Sequence, residues 1–124
     1  MRIVRTSDMG LIREIMTSSE VYPYITDDGS PLKEDFDPID NDSIYYLLVM
    51  GEGLLYGLYM LHPHNSVTYE IHTCLLRTCR GKKADKAAKE VLKWIFSYTP
   101  CLKVVTHVPE SNKPALKYAQ RAGF

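Results

Sequence analysis

The chain has 124 residues and a mass of 14.2 kDa, 45% of them hydrophobic and 24% charged, with seven Gly and seven Pro. That suits one ordinary domain and excludes a multidomain protein, disorder, collagen and coiled coil; no apolar run approaches the roughly 20 residues a bilayer helix needs. The net charge is zero, yet residues 1–62 hold four Lys/Arg against eleven Asp/Glu, and residues 63–124 hold eleven against four. The second half is therefore where an anionic ligand is to be sought, although two halves of opposite sign also simply attract each other. The first residues, MRIVRTSD, lack the apolar stretch of a signal peptide, which predicts a cytoplasmic protein. Cys74, Cys79 and Cys101 are an odd count without a CxxC pair, so reduced thiols are expected rather than a disulfide framework or a structural zinc site.

In chain order, Arg2–Arg5 reads as a short strand, and Ser7 or Asp8 caps a helix with the apolar stripe Leu11, Ile12, Ile15 and Met16. Residues Tyr22–Ser43 form a long acidic loop with a helical turn near Leu32–Phe36. Ile44–Met50 and Leu54–Leu61 flank Gly51-Glu52-Gly53, a hairpin by composition and turn chemistry, and Val67–Leu76 is a third strand. The period then changes: Ala84, Ala87, Ala88, Val91, Leu92 and Ile95 make one helical stripe, with Lys82, Lys86, Lys89 and Lys93 opposite, ending near Tyr98. Leu102–Val108 is a strand, and Ser111 or Asn112 caps a last helix with Pro114 in its first turn. The order β-α-loop-β-β-β-α-β-α predicts an α+β (mixed α/β) fold, with a mostly antiparallel central sheet and one parallel crossover.

The segment Leu75 to Ala84 joins a strand directly to a helix. Unpaired N–H groups and the positive dipole end of a helix N-terminus suit a phosphate. Arg80, Lys82 and Lys83 add charge there, and Gly81 permits close backbone approach.

Arg80-Gly81-Lys82 after a strand, then Asn112-x-x-Ala115 and Gly123-Phe124, resembles the GNAT superfamily of acetyl-CoA-dependent N-acyltransferases over essentially the whole chain. The resemblance implies that amides around Arg80, Gly81, Lys82, Lys83 and Ala84 hold the pyrophosphate of coenzyme A. Backbone groups at Leu75 and Leu76 would hold the pantetheine, and Asn112 the far arm of the cofactor. Three departures stand out. Lys83 and Asp85 occupy positions where the family's phosphate motif has Gly and Gly/Ala. Ala119 stands where many members have a Tyr that protonates the departing thiolate; Tyr118 is one position earlier, about 100° around the helix. The sequence ends where members add two more strands, which reads as a C-terminal truncation or a sheet edge completed by a homodimer or protein partner.

On the strand Val67–Leu76, Thr68, Glu70, His72 and Cys74 share one face. An amine must lose a proton to attack a thioester, and Glu70, then His72, are the candidate bases, with Tyr118 the candidate acid. The bland alternative is that Glu70 and His72 are solvent-facing strand residues. Glu70, His72 and Cys74 on one straight strand do not converge on an ion, so no metal is expected. His107 either lines the pantetheine channel or is simply packed. No cysteine has the neighbours of an activated thiolate, and the Tyr45, Tyr46, Tyr56 and Tyr59 set reads as strand aromatics rather than a nucleic-acid platform. The expected function is acetyl transfer from acetyl-CoA to an amine by direct attack in a ternary complex, the acidic loop suiting a cationic acceptor such as a polyamine, aminoglycoside or protein amine. The alternative is a catalytically inactive GNAT-shaped binding or assembly protein, with a weak likeness to compact phage and prophage members; a further one is a basic patch on Lys82–Lys93 that binds an acidic partner.

Overall fold

A computed structural model describes residues 1–26, 29–107 and 113–123. The strands are β1 (Arg2–Thr6), β2 (Tyr45–Gly51), β3 (Leu54–Pro63), β4 (Thr68–Leu75) and β5 (Lys103–Val105); the helices are α1 (Met9–Met16), α2 (Tyr22–Ile25), α3 (Lys82–Tyr98) and α4 (Lys113–Ala122). The strands lie in the order β1-β2-β3-β4-β5, antiparallel throughout except for the parallel pair β4·β5. This is the mixed architecture that the element order predicts.

Local chemistry accounts for each element. Asp8, rather than Ser7, is the cap of α1: its Oδ1 accepts from the Leu11 amide at 3.1 Å. Positive φ at Glu52 (54°) and Gly53 (73°) turns β2 into β3. The stripe of α3 is buried at Ala84, Ala87, Ala88, Val91 and Ile95, and the helix ends at Tyr98. The acidic stretch between α1 and β2 is not a free loop. Besides α2 it holds a 3-10 turn at Lys33–Asp35, and Arg13 of α1 pins it by donating to the carbonyls of Phe36 (3.0 Å) and Glu34 (3.2 Å).

The sheet separates two apolar layers. On one face Leu47, Val49, Tyr59, Leu61 and Ile71 pack against the α3 stripe. On the other, Tyr46, Leu48, Leu58 and Cys74 pack against Ile12, Ile15, Met16 and Val21. Among the described residues, no helix is long and apolar enough to cross a membrane.

One strand is shorter than expected. β5 spans three residues instead of Leu102–Val108, of which Val108 lies outside the described residues. Its ladder with β4 ends at Glu70↔Val105, after which the Thr106 hydroxyl donates to the Ile71 carbonyl at 3.1 Å. A side chain takes the place of the next backbone rung, and there the two strands part.

Candidate active site

The parting of β4 and β5 defines the site. Backbone groups of alternate residues point to the same side of a strand. The Leu76 amide donates to Tyr56 on β3 at 2.9 Å, whereas the carbonyls of Ile71 and Leu75 point to the β5 side, the latter accepting from Arg80 Nη1 at 3.1 Å. Thr73 shares that direction. Of the two positions expected to hold pantetheine, Leu75 thus faces the gap, while the Leu76 amide is committed to β3 and its carbonyl accepts from Cys79 at 2.9 Å.

The strand leads into α3 through Gly81, whose φ of 60° and ψ of −126° suit glycine far better than any L residue. Among the described residues, a Cβ placed there would meet no atom within 4 Å and no side chain caps the helix, whose first-turn residues are Lys82, Lys83 and Ala84. Lys83 leans away over the Tyr56 ring, its Nζ 5.5 Å from the centroid. Asp85, the acidic departure from the phosphate motif, is paired with Arg121 of α4 at 3.1 Å. Asn112 lies outside the described residues.

Tyr118 of α4 points inward. Its hydroxyl stands 2.5 Å from that of Tyr59 and is also hydrogen-bonded to Thr73. Burial raises its pKa against the lowering effect of these two bonds, so it stays protonated. Because Thr73 is an odd-numbered β4 residue, Tyr118 sits on the α3 face of the sheet. The even-numbered Glu70 and His72 lie on the α1 face, so the three residues expected to share the chemistry are divided between the two sides of β4.

On the α1 face the fold does something no short motif signals: all four histidines of the chain surround Glu70. His64 Nε2 lies 2.8 Å from Oε1 and His107 Nδ1 3.2 Å from it; His72 Nε2 lies 2.8 Å from Oε2 and His62 Nε2 3.5 Å from it. The rings of His62 and His72 stack, with centroids 5.3 Å apart. Only 13% of the Glu70 side chain is exposed. Burial pushes its carboxyl up, but the bond from His64 and the fields of His72, His62 and His107 outweigh it and hold the pKa below the ordinary 4.5. Burial likewise depresses His72 below 6.5, against the opposing pull of Glu70, so that its imidazole is neutral at physiological pH.

Sequence reasoning found Glu70 and His72 but missed His62 and His64. Hairpin register supplies the signal: His62 pairs with Glu70 and Met60 with His72 across β3·β4, placing His62 on the Glu70 face. His107 is not packed away: its side chain is 73% exposed, with Nδ1 3.2 Å from Glu70 Oε1. A cleft of about 210 Å³ reaches His72 from the α1 side, lined by Met16, Ile25, Phe36, Asp37, Tyr46 and Met60 among others. A larger one of about 310 Å³, beside Arg5, Asp40 and Asp42, lies away from this cluster.

A five-stranded mixed sheet that opens between two parallel strands, with a glycine-led helix at the end of one of them, is the fold of the GNAT acetyltransferases. Two solved structures share it: aminoglycoside acetyltransferase AAC(6')-Ib in complex with coenzyme A (TM-score 0.72), and the same enzyme with coenzyme A and kanamycin (0.71). Each is 15% identical, and the alignment covers 98% of this chain and 82% of that one. The chain itself belongs to the family described as "Protein of unknown function (DUF2824)", whose profile matches residues 6–120. No curated protein sequence matches it.

Proposed function

We propose that this chain is an N-acyltransferase that moves an acetyl group from acetyl-CoA to a cationic amine. The observation that carries the reading is the opening of β4 from β5 immediately after Glu70, with the uncapped N-terminus of α3 at the far end of the same strand. A thioester lying along that opening runs from the first-turn amides of α3 past Leu75 and Thr73 to Glu70 and His72. The pyrophosphate sits on the amides of Lys82–Ala84, with Arg80 and Lys82 adding charge. Asn112 is assigned to the far arm by resemblance alone.

His72, rather than Glu70, is the base in this reading. Glu70 is held ionised by four imidazoles and is correspondingly weak as a proton acceptor, whereas His72 is neutral. With Nε2–H donating to Glu70 Oε2, His72 keeps a lone pair on Nδ1 for the amine, and the carboxylate steadies the imidazolium that forms. The amine nitrogen attacks the thioester carbonyl, its proton passes to His72, and the C–S bond breaks to release the thiolate. Tyr118 is assigned to protonate that thiolate across the sheet opening. The His72 cleft, apolar with Asp37 at its rim and acidic residues along its loop, suits an acceptor with a positive charge and an apolar body. Titration of released CoA thiol over polyamines, aminoglycosides and lysine peptides tests this. Amine-dependent release is expected, with His72→Gln lowering kcat by about 100-fold or more while acetyl-CoA affinity is retained; full activity of that variant overturns the assignment.

A second reading, a GNAT-shaped binding or assembly module, is favoured by one feature. The Arg80 guanidinium occupies the Leu75 carbonyl and the Leu76 amide is taken by β3, leaving fewer free backbone groups for pantetheine.

A further inference from the structure

We infer that the four histidines and Glu70 form a binding site for a divalent transition-metal cation of the zinc class, at the end of the opening where the proposed acyl transfer would take place. Three donors are already spaced for it. His62 Nε2, His72 Nε2 and Glu70 Oε2 make a triangle with edges of 3.2, 3.5 and 2.8 Å. A tetrahedral shell with bonds of about 2.0–2.1 Å has donor–donor edges of roughly 3.3 Å, so the ion fits against this triangle with little side-chain movement. His64 takes the fourth position; its donor atom and those of His62 and Glu70 all lie within 4.8 Å of one another. His107 stays on Glu70 Oε1, the kind of supporting contact that orients a ligating carboxylate.

The ion resolves a conflict in the metal-free cluster. His62 and His72 direct Nε2 atoms 3.2 Å apart at one carboxylate oxygen, so two N–H groups aimed there crowd each other, and a ring that gives up its Nε2 proton loses its bond to Glu70. A cation accepts all of these lone pairs at once. Three imidazoles and one carboxylate select zinc, nickel, copper or cobalt over calcium and magnesium, which prefer oxygen. The ligands come from β4, from the end of β3 and from the turn after it, so the ion would tie the β3–β4 hairpin. Partial exposure of His62 (30%), His64 (40%) and His72 (38%) gives it an entry path.

The expectation of a metal-free protein rested on one strand's residues failing to converge, and it is the neighbouring strand that supplies the missing donors. With Nε2 of His72 on an ion, its remaining proton moves to Nδ1 and the ring cannot act as a base. Metal loading and acyl transfer therefore compete for the same residue.

The test is calorimetric titration of the tag-free, chelator-treated chain with Zn²⁺, and absorption spectroscopy with Co²⁺. One equivalent of Zn²⁺ and the intense visible bands of tetrahedral Co²⁺ are expected. Loss of supporting contacts alone typically costs 10–100-fold in metal affinity, so replacing two ligands together, His62→Ala with His72→Ala, should cost at least about 100-fold, while Cys101→Ser changes nothing. Absence of stoichiometric binding by the folded chain, weak octahedral Co²⁺ bands, or unchanged affinity in the double variant overturns the site. Should the double variant fail to fold, the Co²⁺ spectrum of the unaltered chain decides. No acyl-CoA enters these measurements, so their failure and that of the acyl-transfer reading are separable.

Discussion

Gly57 of β3 abuts the Cys74 carbonyl of β4 so closely that a Cβ on it would stand 2.4 Å from the oxygen and 2.8 Å from Leu75 Cα. Its φ of 129° is equally hostile to an L side chain. The contact holds β3 against the end of β4 that leads into α3, so the position of the strands there depends on one missing methyl group. Gly57→Ala should destabilise the fold by at least about 2 kcal/mol, because the obstacle is backbone rather than a flexible side chain. Thermal unfolding should show a midpoint roughly 6–10 °C lower; an unchanged midpoint would mean the strands do not approach this closely.

The Glu70 cluster makes the metal-free protein acid-sensitive. Both Glu70 and His72 have folded pKa values below their unfolded values of 4.5 and 6.5. Each group therefore binds protons more readily in the unfolded chain, and stability falls as pH falls. The His72 contribution is complete above 6.5 and is lost on going below it; the Glu70 contribution begins to be lost only below 4.5. Urea midpoints measured between neutrality and pH 4 should decline in that order, and Glu70→Gln should flatten the lower part of the curve. A midpoint that rises on acidification contradicts the cluster as described.

All three thiols are buried, and burial pushes Cys74 up to about 12 and raises Cys79 and Cys101 as well. None is a thiolate at neutral pH, so alkylation should follow unfolding rather than precede it. Native protein exposed to iodoacetamide should remain unmodified while the urea-unfolded chain takes three groups; rapid modification of Cys74 in the native state would be inconsistent with its place beneath α1.

Tyr118→Phe removes a hydroxyl shared with Tyr59 and Thr73. Tyr59 is fully buried, so its hydroxyl is then left one partner short, at a cost of about 1–3 kcal/mol. If Tyr118 also protonates the leaving thiolate, kcat falls while KM for acetyl-CoA stays constant. A variant that is less stable but fully active assigns Tyr118 to packing alone.

Much of the fold is legible in the sequence because it rests on local periodicity. The alanine-rich stripe of α3, the Gly51-Glu52-Gly53 turn and the strand Val67–Leu76 all follow from short-range chemistry, and the order of elements then fixes one parallel crossover. The Glu70 cluster is different: it depends on which residues of β3 and β4 stand opposite each other, and His62 and His64 belong to a segment with no motif of its own. Counting outward from a turn at 65–67 pairs His64 with Thr68 and therefore His62 with Glu70. The inward aim of Tyr118 was not legible at all, because the rotation of α4 against the sheet is set by tertiary packing on Tyr59 and by the Asp85–Arg121 pair.

The most direct test of the central claim is calorimetric titration of the chain with coenzyme A and acetyl-CoA, repeated with Gly81→Ala. The account predicts saturable one-to-one binding in the micromolar range. Substitution at Gly81 should weaken it tenfold or more, since a strained cap costs about 1–3 kcal/mol and 1.4 kcal/mol is a factor of ten. No binding at millimolar ligand by a folded sample, or binding indifferent to Gly81, would contradict the cofactor site and turn the GNAT-shaped fold into a scaffold for some other partner.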